Sequence, residues 1–176
     1  IAIRSVYEQT YTNWEIILWD NASDDKTSEI VARYNNKIRY YRSKIKVSLG
    51  KARVKAVDKA NGDFLTFLDC DDQWYPDKLC KQINAFKKNK QAGLIYSRAN
   101  IINQKNLTNI FFPKKLYLFS GSVFKELVKD NFIPFVSVLI PKKVYYDCGG
   151  FLPYLINATD YDLFLKISFK YDVIAL

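Results

Sequence analysis

The chain contains no histidine and no methionine, and only six glycines, five prolines and three cysteines in 176 residues. Without histidine there is no Ser-His-Asp or Cys-His catalysis and no imidazole metal site. Acid–base chemistry must come from Asp, Glu, Lys, Tyr or Cys, and any metal is a hard cation held by carboxylates, such as Mg²⁺ or Mn²⁺. Scarce glycine and proline exclude a collagenous or low-complexity chain. Cys70, Cys80 and Cys148 are odd in number and lack paired short spacing, so they form neither a disulfide framework nor a zinc knuckle. A reducing, cytoplasmic setting is the simpler reading. No apolar run approaches the roughly 20 residues that span a bilayer. The chain starts at Ile1, inside an amphipathic helical pattern reaching Gln9, and ends abruptly in a strand-like Val173 to Leu176. It is therefore expected to be a fragment truncated at both ends.

What is present suits a packed core. Hydrophobic residues make up 49% and aromatics 16% of the chain, and a single domain of this size buries about 70% of its unfolded surface. Lys and Arg number 27 against 18 Asp and Glu, a net charge of +9. Such a surface suits nucleic acid, an anionic membrane or a phosphorylated small molecule.

Short apolar runs alternate with helical patterns. Strands are predicted over Glu15 to Trp19, Ile38 to Tyr41, Phe64 to Leu68 (the most apolar, hence central) and Gly93 to Tyr96. Helices are predicted after Asp24-Asp25, over Gly50 to Ala60, and after Pro76, where Leu79, Ile83 and Phe86 share a face. Beyond residue 97 the pattern loosens: a hairpin in Asn100 to Leu118, a short helix over Ser122 to Lys129 and a strand over Phe135 to Ile140. A helical turn then begins at Pro141 and breaks at Cys148-Gly149-Gly150-Phe151, and a last helix carries Leu163, Phe164 and Ile167. The alternation implies one α/β domain over residues 1–176 with a largely parallel sheet.

Ligands of open α/β sheets bind beyond the carboxyl ends of the strands. Two predicted strands end in acids there: Asp20 in one, Asp69, Asp71 and Asp72 in the other. Three carboxylates in four residues repel one another unless a cation or strong donors lie among them. Mg²⁺ or Mn²⁺ bound by one or two carboxylates completes its shell with phosphates and water. The competing reading is a solvated acidic turn capping the next helix.

Four segments, in order, carry a family resemblance: AIRSVYEQTYTNWEIILWDNASDD, GKARVKAVDKANGDFLTFLDCDDQWYPDKLCKQ, SVLIPKKVYYDCGGF and TDYDLFLKI. Over about residues 2 to 174 the chain resembles glycosyltransferase family 2. The resemblance implies the GT-A fold with its first strand, which would precede Ile1, missing. Residues 1–98 would form the nucleotide-binding half and 99–176 the acceptor side. It implies that Asp20 contacts the base, Arg53 lies near base or phosphates, Asp69 serves the ribose, and Asp71 holds Mn²⁺ or Mg²⁺ bridging the diphosphate, with Asp72 beside it. Asp160 takes the catalytic-base position. Asp162 is the other acid there, about 200° away around a helix.

The implied reaction inverts the sugar's anomeric centre. A hydroxyl of a glycan or lipid-linked acceptor attacks a nucleoside-diphosphate sugar, UDP-sugar first among donors, in bacterial capsule, lipopolysaccharide or other surface-glycan synthesis. Departures occur at Asn21, Val54 and Thr159, where the family often has a second acid, Asn and Glu. The expected truncation at the start and the departures at Val54 and Thr159 leave open an inactive relative that binds sugar or nucleotide. A haloacid-dehalogenase-type phosphatase fits poorly, because the motif falls in the third visible strand. The lysines are spread over many segments rather than one aromatic-basic stripe, against nucleic acid. Peripheral docking on the inner face of an anionic membrane suits the surplus charge better.

Overall fold

Apolar periodicity places the elements close to the predicted positions. The computed structural model describes residues 1–34, 37–103, 106–114 and 117–176. In chain order these give α1 (Ala2–Tyr7), β1 (Ile16–Asp20), α2 (Thr27–Val31), β2 (Ile38–Arg42), α3 (Leu49–Val57), β3 (Phe64–Leu65), α4 (Lys78–Lys88) and β4 (Ala92–Tyr96). There follow β5 (Ala99–Asn103), β6 (Asn106–Phe112), α5 (Phe124–Lys129), a 3₁₀ turn (Phe135–Ser137), β7 (Ile140–Pro141), α6 (Lys142–Asp147), α7 (Thr159–Lys170) and β8 (Asp172–Ala175). The hairpin predicted in Asn100 to Leu118 is β5–β6; residues 104–105 and 115–116 of that prediction lie outside the described residues. No helix among the described residues is long and apolar enough to cross a membrane.

Pairing is parallel for β1–β2 and β4–β8, and antiparallel for β3–β7. A backbone bridge between Ile95 and Leu139 joins β4 to the chain leading into β7, so residues 139–141 run between β4 and β3. The sheet is thus more mixed than the strand–helix alternation predicted. The long central strand also differs: its ladder stops at Leu65. Beyond it Thr66 donates its hydroxyl to the Val138 carbonyl at 2.7 Å, a side-chain bond in place of the backbone ladder. The predicted strand over Phe135 to Ile140 begins instead as the 3₁₀ turn. Pro134 starts it, and both the amide and the hydroxyl of Ser137 bond back to the Pro134 carbonyl at 3.0 and 2.8 Å.

The main core lies where β4 and β8 meet α5, α6 and α7. Leu94, Leu127, Val138, Ile140, Leu163, Phe164, Ile167 and Val173 are buried there. Two polar staples hold the segments around the strand ends. The Gln9 amide nitrogen donates to the Tyr75 carbonyl at 2.8 Å, and its oxygen accepts from the Leu79 amide at 3.0 Å. This ties α1 to the stretch that follows the acidic turn. On the other side, Ser48 donates to the Pro153 carbonyl at 2.6 Å and the Gly50 amide to the Leu155 carbonyl at 3.0 Å. The start of α3 is thereby pinned against the loop before α7.

Gly50 permits that approach, since a Cβ there would lie 2.1 Å from the Leu152 carbonyl oxygen. Gly50→Ala is expected to lower stability by about 1–3 kcal/mol, because backbone rather than a flexible side chain must move. A denaturant midpoint equal to that of the unsubstituted protein would contradict this close packing.

Candidate active site

Parallel pairing of β1 with β2 sets Asp20 opposite Arg42 at the carboxyl ends of both strands. The Asp20 side chain is buried, and its oxygens are taken by neighbours. Tyr40 donates its hydroxyl at 2.5 Å, the Ser23 amide donates at 2.7 Å, and Arg42 lies 3.6 Å away. Burial works against the carboxylate charge, but the Tyr40, Ser23 and Arg42 contacts outweigh it and hold the Asp20 carboxyl below its ordinary range.

Asn21 stands where a second acid was expected. Its side chain donates to the Val47 carbonyl at 2.9 Å and accepts from the Val47 amide at 3.0 Å. An ionised carboxylate only accepts and offers no such pair, so Asn21 pins the loop after β2.

The second acidic strand end is a turn: the Asp72 amide donates to the Asp69 carbonyl at 3.2 Å. Asp69 and Asp71 are exposed and Asp72 is half-buried. Burial, and then the charges of Asp71 and Asp69, push the Asp72 carboxyl above its ordinary range. Such frustrated negative charge is relieved by a cation, and hard carboxylate oxygens fit Mg²⁺ or Mn²⁺. Among the described residues, no three acids or thiols converge into a cage that would hold a metal unaided. Oxygens from a bound phosphate group would have to complete the shell.

Arg53, on α3, connects this turn to α7. Its guanidinium lies 3.7 Å from the Asp69 carboxylate and donates to the Thr159 hydroxyl. It sits 4.1 Å above the Phe135 ring centre and 5.7 Å from that of Phe151. The Arg53 side chain is only 14% exposed and Thr159 is fully buried. Burial pulls the Arg53 guanidinium below its ordinary value, opposed by the charges of Asp69 and Asp160. Arg53, Asp69 and Asp160 therefore form one electrostatic cluster, with Asp160 in the first turn of α7. Asp162 belongs elsewhere: it pairs with Lys166 at 2.7 Å, and Lys166 also donates to the Gly150 carbonyl.

Of the residues proposed from sequence, the cluster gathers Arg53, Asp69 and Asp160. Asp71 adjoins it in the acidic turn, while Asp20 keeps its own partners at the end of β1. Sequence reasoning missed Thr159 as a hydrogen-bond partner, the Phe135 and Phe151 rings beneath the guanidinium, and Tyr40. Only Phe151 carried a local signal, as the apolar residue closing the Gly-Gly break. Lys78 was missed as well. Its ammonium donates to Thr66, at 3.0 Å, and Gln82, at 2.9 Å, over the Trp74 ring, and burial pushes it down to about 7. It braces the segment behind the acidic turn.

Arg53 thus joins the acidic turn at Asp69 to the start of α7 at Thr159, and the fold is GT-A. A mannosyltransferase from Pyrobaculum calidifontis, solved with GDP-Man and Mn²⁺, superposes with a TM-score of 0.75 at 19% identity, over 99% of this chain and 49% of that one. The sequence matches the profile for glycosyl transferase family 2 over residues 1–144. The chain belongs to that family. It is 30% identical to the Escherichia coli UDP-Glc:alpha-D-GlcNAc-diphosphoundecaprenol beta-1,3-glucosyltransferase WfgD, over 94% of this chain and 62% of that protein. It is 31% identical to the amylovoran biosynthesis glycosyltransferase AmsB of Erwinia amylovora, over 96% of this chain and 60% of that protein. The chain spans little more than half the length of such relatives.

The Asp20 contacts carry a pH signature. A carboxyl held below its unfolded value of about 3.9 contributes stability that is fully present above that pH and is lost as pH falls through the folded value. Tyr40→Phe removes one lowering contact, so its acid unfolding is expected to begin at higher pH than in the unsubstituted protein. Superimposable acid-unfolding curves from circular dichroism would refute the role given to Tyr40.

Proposed function

We propose that the chain is the catalytic domain of an inverting, metal-assisted glycosyltransferase of bacterial surface-polysaccharide synthesis. It moves a sugar from a nucleoside diphosphate, UDP foremost, to a hydroxyl of a glycan or lipid-linked acceptor. The observation that carries this reading is the Arg53 guanidinium, which lies 3.7 Å from Asp69 of the acidic turn and donates to Thr159 at the start of α7. The donors named for the relatives, UDP-Glc in one and GDP-Man in another, support the substrate class.

In this reading Asp20 contacts the base and Asp69 the ribose. Asp71 holds Mn²⁺ or Mg²⁺ with Asp72 beside it. Bound there with the diphosphate, the cation supplies charge stabilisation to the leaving group and replaces a proton donor, which suits a chain without histidine. Arg53 adds a fixed positive charge between donor and acceptor sides. Asp160 takes the proton of the attacking hydroxyl. Direct displacement by that hydroxyl inverts the anomeric carbon.

Asp160→Asn is expected to lower sugar transfer by about 10²–10⁴-fold while the protein still binds nucleoside diphosphate; near-normal turnover would remove Asp160 from the base role. For Asp71→Asn, the readout is the melting temperature with UDP, with and without Mn²⁺. The unsubstituted protein is expected to gain stability from UDP only when Mn²⁺ is present, and the variant to lose that gain. An undiminished Mn²⁺-dependent gain in the variant would show that Asp71 is not the ligand.

A further inference from the structure

The positive charge is not distributed as the lysines alone suggest. None of the 18 acidic residues lies between Lys78 and Lys125, while ten of the 27 basic residues do. That stretch alone carries +10, and the rest of the chain, with 17 basic and 18 acidic residues, carries −1. The entire surplus therefore belongs to α4, β4, the β5–β6 hairpin and the segment that follows them.

The hairpin is also unusual in what it exposes. Successive residues of a strand point to opposite faces, yet Ile101 and Ile102 on β5 and Ile110, Phe111 and Phe112 on β6 are all exposed, Ile110 and Phe111 at 47% each. Both faces of the hairpin thus present large apolar side chains to solvent. Exposed apolar side chains gathered on one hairpin, rather than scattered singly over the surface, mark an interaction site. Lys114, exposed, follows β6 after Pro113; the sequence from Lys78 to Lys125 holds no acid, and Asp130 lines a cavity with Phe112, Pro113 and Lys114 at the base of the hairpin.

We propose that the β5–β6 hairpin is a peripheral membrane-docking element that lays its exposed apolar side chains into the surface of a bilayer containing anionic phospholipid. The charge pattern selects this occupant. Apolar side chains enter the boundary between headgroups and acyl chains, while basic residues meet the negative headgroups, each cation adding to the affinity. A second copy of the chain would bring the same +10 stretch against itself, and a nucleic acid would leave the aliphatic side chains uncovered. The proposal is independent of the transferase reading, because it involves none of the residues of the Arg53 cluster.

Co-sedimentation of the 176-residue chain with vesicles tests it, using phosphatidylcholine alone and phosphatidylcholine mixed with phosphatidylglycerol. Binding to the phosphatidylglycerol vesicles is expected, weakening as salt is raised, with little binding to phosphatidylcholine alone. Phe111→Asp is expected to release the protein, and Lys114→Gln to weaken binding about fivefold. Circular dichroism checks both variants; should Phe111→Asp fail to fold, the exposed Lys114→Gln still reports. Equal binding to the two vesicle types would overturn the proposal, as would wild-type binding by the folded variants. So would a protein that ignores vesicles but self-associates through the hairpin, or one that RNA strips from the vesicles at low salt.

Discussion

The arrangement of the candidate site depends on one buried cation. Arg53 cannot be carried into the protein interior unless its charge is met, and it is met from several directions. Asp69 approaches from the acidic turn, Thr159 accepts at the start of α7, and the Phe135 face lies below at 4.1 Å. A guanidinium suits this position because its planar fork can stack on a ring while donating sideways. Thr159 and Arg53 lie 106 residues apart in sequence, so this contact joins the early and late parts of the chain at the point where the acids gather.

The scaffold around Arg53 is built to hold that geometry. Gly50 lets α3 touch the loop before α7, and Ser48 fixes that contact with a 2.6 Å hydrogen bond. Ala158, immediately ahead of α7, adopts a left-handed φ of 51°, a conformation that costs a non-glycine residue about 1–3 kcal/mol and persists where neighbours impose it. On the opposite flank, Gln9 binds the stretch after the acidic turn, and Asn21 locks the loop after β2. These polar contacts explain why a chain with few glycines and no histidine can still present acids at fixed positions. The side chains doing so are amides and hydroxyls that bond to backbone.

Much of this is legible in the sequence, because its signals are local. The apolar run ending in Asp20 marks a strand end, and the TDYDLF pattern marks a helix start with Asp160 in its first turn. The misreadings concern partners distant in sequence. Phe64 to Leu68 reads as a long buried strand, but an apolar run does not reveal that Thr66 will bond by its hydroxyl to Val138. Phe135 reads as strand, whereas Pro134 and Ser137 close a turn that brings its ring under Arg53. Thr159 reads as the loss of a customary acid. In place it is the buried hydroxyl that receives the arginine, a role that only the folded chain defines.

Replacing Arg53 by lysine tests the central interaction most directly. Lysine keeps the charge but cannot stack on Phe135 and reach both Asp69 and Thr159 with one planar group. With donor, metal and acceptor supplied, Arg53→Lys is expected to slow transfer by about a hundredfold, as a misplaced reacting group does, while circular dichroism shows the fold retained. Transfer within a few-fold of the unsubstituted protein would contradict the claim that this guanidinium organises the site.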